Sequence, residues 1–395
     1  MDRIKEFIQK YKLQIIIIAA VILLAAASIL VFYNLNKDRD TEEEPEKTTV
    51  TETESQTEPK TEPPTKEVPT EPAPEIVELP YINPLTGEGS AVDYSNTRPL
   101  TIMINTIKEA LPQSGNSQAD ILIEMAEEGG ITRILGIYQD VTGVGNIGTV
   151  RSTREYFLSW ARAFDGILVH AGGDSWVLNE IRKGGYRTVD FQWNSSSAFW
   201  RDPERLQYLS LEHTLYTSSD RLQNWITTHD FPMQHTKQNY TTFNFTEELD
   251  DNVMTEAATS VKVTMSGYKS TVFNYNEATS QYDVYFWDNE PYMDSASGTQ
   301  IAVTNILVLP VPNWNDVDAW GRKRQKYDLS GGVGYYISGG KYTQINWSKG
   351  DYNKQGEYGN PLVLTNANGE PLELAVGKTY ICVIGNQYGV SFTGE

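Results

Sequence analysis

From Leu13 the chain reads "LQIIIIAAVILLAAASILVFY", a run without a single charged side chain. At about 1.5 Å per residue such a run, as a helix, crosses the hydrocarbon core of a bilayer. Residues 13–35 are therefore expected to be a transmembrane helix. Arg3, Lys5, Lys10 and Lys12 lie in the preceding tail, residues 1–12, and a basic flank marks the cytoplasmic side. The rest of the chain is then expected outside the cell, as the head of a single-pass membrane protein. A cleaved signal peptide is the rival reading, with Ala25 and Ala27 as its small residues. Against it, the apolar run continues through Phe32 and no cysteine is present for lipid attachment.

The next segment narrows the folding problem further. Residues 36–79 are Thr, Glu and Pro with almost no large apolar side chain, and residues 41–78 hold twelve glutamates against three lysines. Such a stretch cannot bury enough surface to offset its ordering entropy. It is expected to be a disordered acidic linker, reaching on the order of 100 Å. Folding is left to residues 80–395.

The net charge of -20 excludes nucleic acid as the main partner, because phosphate backbones are held by Lys and Arg. Cys382 is the single cysteine, so no intramolecular disulfide can form. Its setting, "TYICVIG", suits a buried small hydrophobe. An exported head without disulfides fits the envelope of a Gram-positive bacterium.

The fold class expected is α+β. Residues 80–250 mix strands ("RPLTIMIN", "GILVH") with helices ("STREYFLSWARAF", "SWVLNEIRK", "SSDRLQNWITTH"). Residues 251–395 turn to short alternating strands separated by Gly, Asn and Asp turns, which predicts a mainly antiparallel β domain.

Candidate chemistry clusters in the first of these segments. "DILIEMAEEGGITRILGIYQD" reads as a hairpin about a two-residue Gly129-Gly130 turn. In that register Glu124, Ala126 and Glu128 share a face with Arg133, and the opposite face is the apolar one. Two carboxylates and a guanidinium then converge, either as a site or as ion pairs on a solvated face. In "GTVRSTREYF", Ser152 stands three residues before Glu155, the spacing of a capping box. Arg151 and Arg154 flank that cap. Free backbone N–H groups, the helix dipole and two guanidiniums together suit a phosphate or carboxylate. His170 ends a strand before a Gly-Gly turn, well placed for a site and equally suited to a structural hydrogen bond. His213, His229 and His235 show no ligand spacing. No metal-ligand motif, Walker loop or dinucleotide fingerprint is present, so no cofactor is expected.

These blocks resemble a known family. "RPLTIMIN", "PQSGNSQADILIEMAEEGGITR", "GTVRSTR" and "VHAGG" are similar to the N-terminal signature of the YerB-like cell-envelope proteins. "YNEATSQYDVYFWDNEPYMDSASGTQIAVTNILVL" and "GYYISGGKYTQINWSK" are similar to its C-terminal domain. The resemblance covers the chain from about residue 80. It implies two domains outside the membrane and offers no settled reaction. Many members are lipoproteins; this chain departs from them in its apolar anchor and missing lipid-attachment cysteine. Thr149 stands where the family has Pro before the Val-Arg-Ser block, and "QYDVYF" lacks the family's Arg. The matching polar residues are Glu124, Glu128, Arg133, Arg151, Ser152, Arg154 and His170.

The function expected from sequence is a binding or regulatory module of the cell envelope. Its anion pocket would be built from those residues, and its partner would be a cell-wall fragment or a wall-synthesis protein. The alternatives are a wall-directed hydrolase or transferase, with Glu124 or Glu128 as acid or base, and a purely structural scaffold.

Overall fold

Three sequence runs set the centre of the molecule. LTIMIN, ILIEMA and TRILGIY form β1 (Leu100–Asn105), β2 (Ile121–Ala126) and β3 (Thr132–Tyr138), each buried along its whole length. Continuous burial marks strands covered on both faces. The computed structural model describes residues 79–394 apart from 194, 288 and 351–358. The readings for residues 1–12 and 13–35, and for the linker up to residue 78, lie outside the described residues. Among the described residues no helix is long and apolar enough to cross a membrane.

After β3 come α1 (Glu155–Ala163), β4 (Ile167–His170), α2 (Ser175–Lys183), β5 (Val189–Asp190) and α3 (Ser219–Thr228). The second half adds β6 (Glu256–Ala257), β7 (Ser260–Thr264), β8 (Ser270–Asn276), β9 (Gln281–Phe286) and β10 (Asn305–Val311). It ends with β11 (Gly331–Ser338), β12 (Lys341–Ser348), β13 (Thr379–Gly385) and β14 (Val390–Thr393). The described residues are thus β-rich with few helices.

Strands β1 to β14 lie in one large sheet and one smaller one, beside a three-stranded and three two-stranded sheets formed by other short strands among the described residues. The large sheet has eleven strands, in the order β6-β12-β11-β10-β13-β2-β3-β1-β4-β5, with Val363–Thr365 added on β12. Chain character changes near residue 250, yet the hydrogen bonding does not stop there. β13, close to the C-terminus, lies parallel between β10 and β2 and joins the strands of the two halves. The smaller sheet runs β9-β8-β7-β14, with two short strands on β9. Its Val261, Phe273, Val284 and Phe286 pack against Leu122, Ile134, Tyr380 and Cys382 of the large sheet. On the other face, Tyr156, Phe157 and Trp160 of α1 pack over Ile123, Met125, Leu135 and Ile381. The large sheet is the middle layer.

This arrangement corrects the expected hairpin. β2 and β3 do pair antiparallel, but the connection is longer than two residues. The Glu127 N–H donates to Ile131 and the Gly130 N–H to Glu127, with Gly129 and Gly130 at φ of 76° and 79°. Ala126 therefore faces Thr132, Met125 faces Arg133 and Glu124 faces Ile134. A shift of one residue moves a side chain to the other face. Arg133 points with Met125 toward α1, while Glu124 points toward the smaller sheet. No apolar-versus-solvated division exists, because both faces are covered.

The helix start also differs from the expected capping box. Arg154 is the N-cap of α1 and offers no side-chain hydrogen bond there. The Ser152 hydroxyl instead donates to the Ala171 carbonyl at 2.8 Å. That contact ties the segment before α1 to the end of β4. α2 and α3 do carry side-chain caps, Asp174 and Ser218.

Asp120, just before β2, accepts from the Gln139 N–H at 2.7 Å and from the Asn83 amide at 2.8 Å. Burial nevertheless pushes its carboxyl up to about 6. A carboxyl raised above its unfolded value binds its proton more tightly in the folded state. Its contribution is therefore present at acid pH and lost as pH rises from about 4 to about 6. Asp120→Asn should flatten the pH dependence of the melting temperature over that interval, as read by calorimetry at a series of pH values.

Candidate functional site

The turn between β2 and β3 gathers charge on both of its sides. On the side of the smaller sheet stands Glu124, fully buried. Its carboxylate meets the Lys269 ammonium at 2.5 Å. It also accepts from Thr132 at 2.5 Å, Thr271 at 2.7 Å and Tyr380 at 2.8 Å. The Lys269 nitrogen lies 3.1 Å from the centre of the Phe286 ring. Burial alone would raise the Glu124 carboxyl; the Lys269 charge and the hydroxyl donors outweigh it and hold it below the usual carboxylate range.

On the α1 side stand Glu127, Glu128, Arg133 and Arg154. Arg133 reaches Glu127 at 2.7 Å and donates to the Ser152 carbonyl. Arg154 holds Glu128 through two hydrogen bonds, of 2.7 and 3.2 Å. It also lies 3.4 Å from Glu127 and 3.5 Å from Asp174. Arg324 adds a second cation to Glu128 at 3.5 Å, and the Gln325 N–H donates to it. Glu155, in the first turn of α1, pairs with Lys326. Burial pushes Glu127 above the usual carboxylate value even with Arg133 and Arg154 beside it. Glu128 is held low, because Arg154 outweighs its partial burial.

Arg151 departs from this closed pattern. Its guanidinium donates to the Glu212 carboxylate at 3.0 Å and to the Glu212 carbonyl at 2.9 Å. The Glu212 side chain is 57% exposed. The Arg151 Nε is buried and has no hydrogen-bond partner among the described residues.

His170 stands apart from both networks. It is fully buried, with Nδ1 at 2.8 Å from the Gly172 carbonyl and Nε2 at 3.1 Å from the Thr188 hydroxyl. Burial lowers its pKa, and the two contacts suit a neutral ring with its proton on Nδ1.

Of the seven residues singled out from sequence, Glu128, Arg133 and Arg154 come together around Glu127. Ser152 joins them through its carbonyl and Arg151 borders them. Glu124 is on the opposite face and His170 is enclosed beside β5. Sequence reasoning missed Glu127, Lys269, Asp174 and Arg324. Glu127 was visible beside Glu128 in "MAEEGG"; Lys269 and Arg324 are far along the chain and carried no local signal. Among the described residues no group of three or more His, Cys, Asp and Glu side chains could hold a metal ion.

The fold and these networks define a class of protein in which two chain segments complete one sheet and lock it with buried ion pairs. This chain belongs to the family described as protein of unknown function DUF3048, whose N-terminal domain matches residues 85–232 and whose C-terminal domain matches residues 261–381. It is 28% identical over 305 residues to YerB of Bacillus subtilis (strain 168), whose name provisionally classes it as a lipoprotein. That match spans 76% of this chain and 85% of the relative. The crystal structure of YerB from Bacillus subtilis superposes with a TM-score of 0.65 at 26% identity, covering 79% of this chain and 99% of that one.

Removing one partner of a buried pair strands the other charge. Lys269→Met should cost about 3–5 kcal/mol in denaturant unfolding. Lys269→Met with Glu124→Gln should cost less than the two single changes added together, by more than about 0.5 kcal/mol. With Lys269 present the Glu124 contribution is complete above its unfolded pKa and is lost as pH falls through its depressed folded value; without Lys269 burial raises that carboxyl, so the destabilisation by Lys269→Met should be largest near neutral pH and shrink as pH falls.

Proposed function

We propose that the chain is a membrane-anchored, extracytoplasmic binding or regulatory protein of the Gram-positive cell envelope, and that Arg151 is its anion-recognising group. Three features support the location: the apolar run at 13–35, the acidic linker after it, and the similarity to a protein provisionally classed as a lipoprotein. The observation that carries the binding role is the difference between the two arginines. Arg154 faces three carboxylates and has no capacity left for a ligand. Arg151 has one exposed partner and an unpaired buried donor. A phosphate, a peptide carboxylate or an acidic side chain of a partner could replace Glu212 there, and two guanidinium donors in one plane suit any of them.

The hydrolase alternative has less support. Glycoside hydrolysis ordinarily uses two carboxyl groups flanking one cleft, and Glu124 and Glu128 lie on opposite sides of the large sheet. The scaffold alternative accounts for Glu124, Arg133 and Arg154, but not for Arg151.

Two experiments test this reading. In a Gram-positive host the full chain should resist extraction from membranes by alkaline carbonate, and protease added to protoplasts should cut the linker and release the head. A head that stays protected would sink the proposed location. Phosphate or a soluble wall fragment titrated against the purified full chain should bind, and Arg151→Ala should weaken that binding about tenfold or more. Equal binding by Arg151→Ala would sink the anion role.

A further inference from the structure

At the β5 end of the large sheet, away from the ion-pair networks, a cavity of about 610 Å³ opens between α2, α3 and the loop around β5. That volume lies within the range of small-molecule sites, about 300–1,000 Å³. Leu178 and Ile181 of α2, Tyr186, Trp225 of α3 and Phe231 supply its apolar lining. Arg182, Arg187, Asp190 and Gln192 add planar polar groups.

Two of its aromatic residues stand out. Trp193 is 75% exposed, with the Arg182 guanidinium 5.9 Å from its ring. Trp225 is buried, stacked on His229 at 4.3 Å, and its indole N–H finds no hydrogen-bond partner among the described residues. Arg187 is already fixed, stacked on Phe231 at 4.2 Å and donating to the carbonyls of His229 and Asp230.

We propose that this cavity is a carbohydrate subsite that takes a pyranose ring of an oligosaccharide. A pyranose presents a C–H face that packs on a flat aromatic ring and hydroxyls that both donate and accept. The lining offers the matching partners: the exposed indole of Trp193, with guanidinium, amide and carboxylate groups of Arg182, Gln192 and Asp190 around it. A purely apolar ligand would not match those polar groups. An extended peptide needs a sheet edge, and β5 offers two residues. The site is separate from Arg151, so it stands or falls apart from the anion reading.

The test titrates the full chain, purified in detergent, with tri-N-acetylchitotriose and cellotriose, followed by tryptophan fluorescence and calorimetry. At least one saccharide should bind saturably. Trp193→Ala should weaken it about tenfold or more, with an unchanged circular dichroism spectrum and melting temperature because that side chain is exposed. Arg182→Ala should weaken it several-fold, and Trp320→Ala, at an exposed tryptophan outside the cavity, should leave it unaltered. Three results would overturn the proposal: no saccharide binding up to about 10 mM, binding unaffected by Trp193→Ala, or displacement of the saccharide by an aromatic tripeptide.

Discussion

The Glu124–Lys269 ion pair is the contact on which the rest of the arrangement depends. Neither side chain reaches solvent, so each carries its charge only in the presence of the other. The pair joins residues 145 positions apart, one on β2 in the middle of the large sheet and one just before β8 in the smaller sheet. It also fixes register. A slip of one residue would drive Glu124 into the apolar layer under α1 and turn Arg133 toward Lys269. Both outcomes strand a charge, so the pairing specifies which face of each strand is which.

The opposite side of the same turn uses charge differently. Glu127, Glu128, Arg133, Arg154, Asp174 and Arg324 form a connected set in which Arg154 has three carboxylate neighbours and Arg133 and Arg324 each hold one of its glutamates. Such a set orients α1 on the sheet in place of a side-chain cap. Arg151 borders that set and keeps a buried Nε without a hydrogen-bond partner, while the cavity beside Trp193 and Trp225 lies apart from it.

Much of the fold was legible locally. The strands of the second half followed from alternation and Gly turns, and β1 to β3 were legible as strands, whereas the burial of both faces of β2 and β3 was not. The α1 and α2 helices followed from apolar spacing. What was not legible came from beyond the local window. The turn at Gly129-Gly130 was read as two residues because paired glycines favour such turns, yet tertiary packing at Glu127 and Ser266 lengthens it. The Ser266 hydroxyl donates to the Gly130 carbonyl from the other half of the chain. The Ser152–Glu155 spacing matched a capping box, yet both side chains are engaged elsewhere, by Ala171 and Lys326. Of the site, the sequence exposed the cluster of Glu128, Arg133 and Arg154 but not the lysine that neutralises Glu124. A single Lys in "MSGYKSTVFNY" has no local reason to be buried.

The position of β13 has a consequence for how the molecule is made. β13 fills the slot between β10 and β2, and its last residue is Gly385. A chain synthesised from its N-terminus therefore carries an unpaired β2 edge until residue 385 has been made. Pairing residues 121–125 with residues 379–383 closes a long loop, and such closure is slow. An unpaired strand edge of this kind is a template for pairing with another chain.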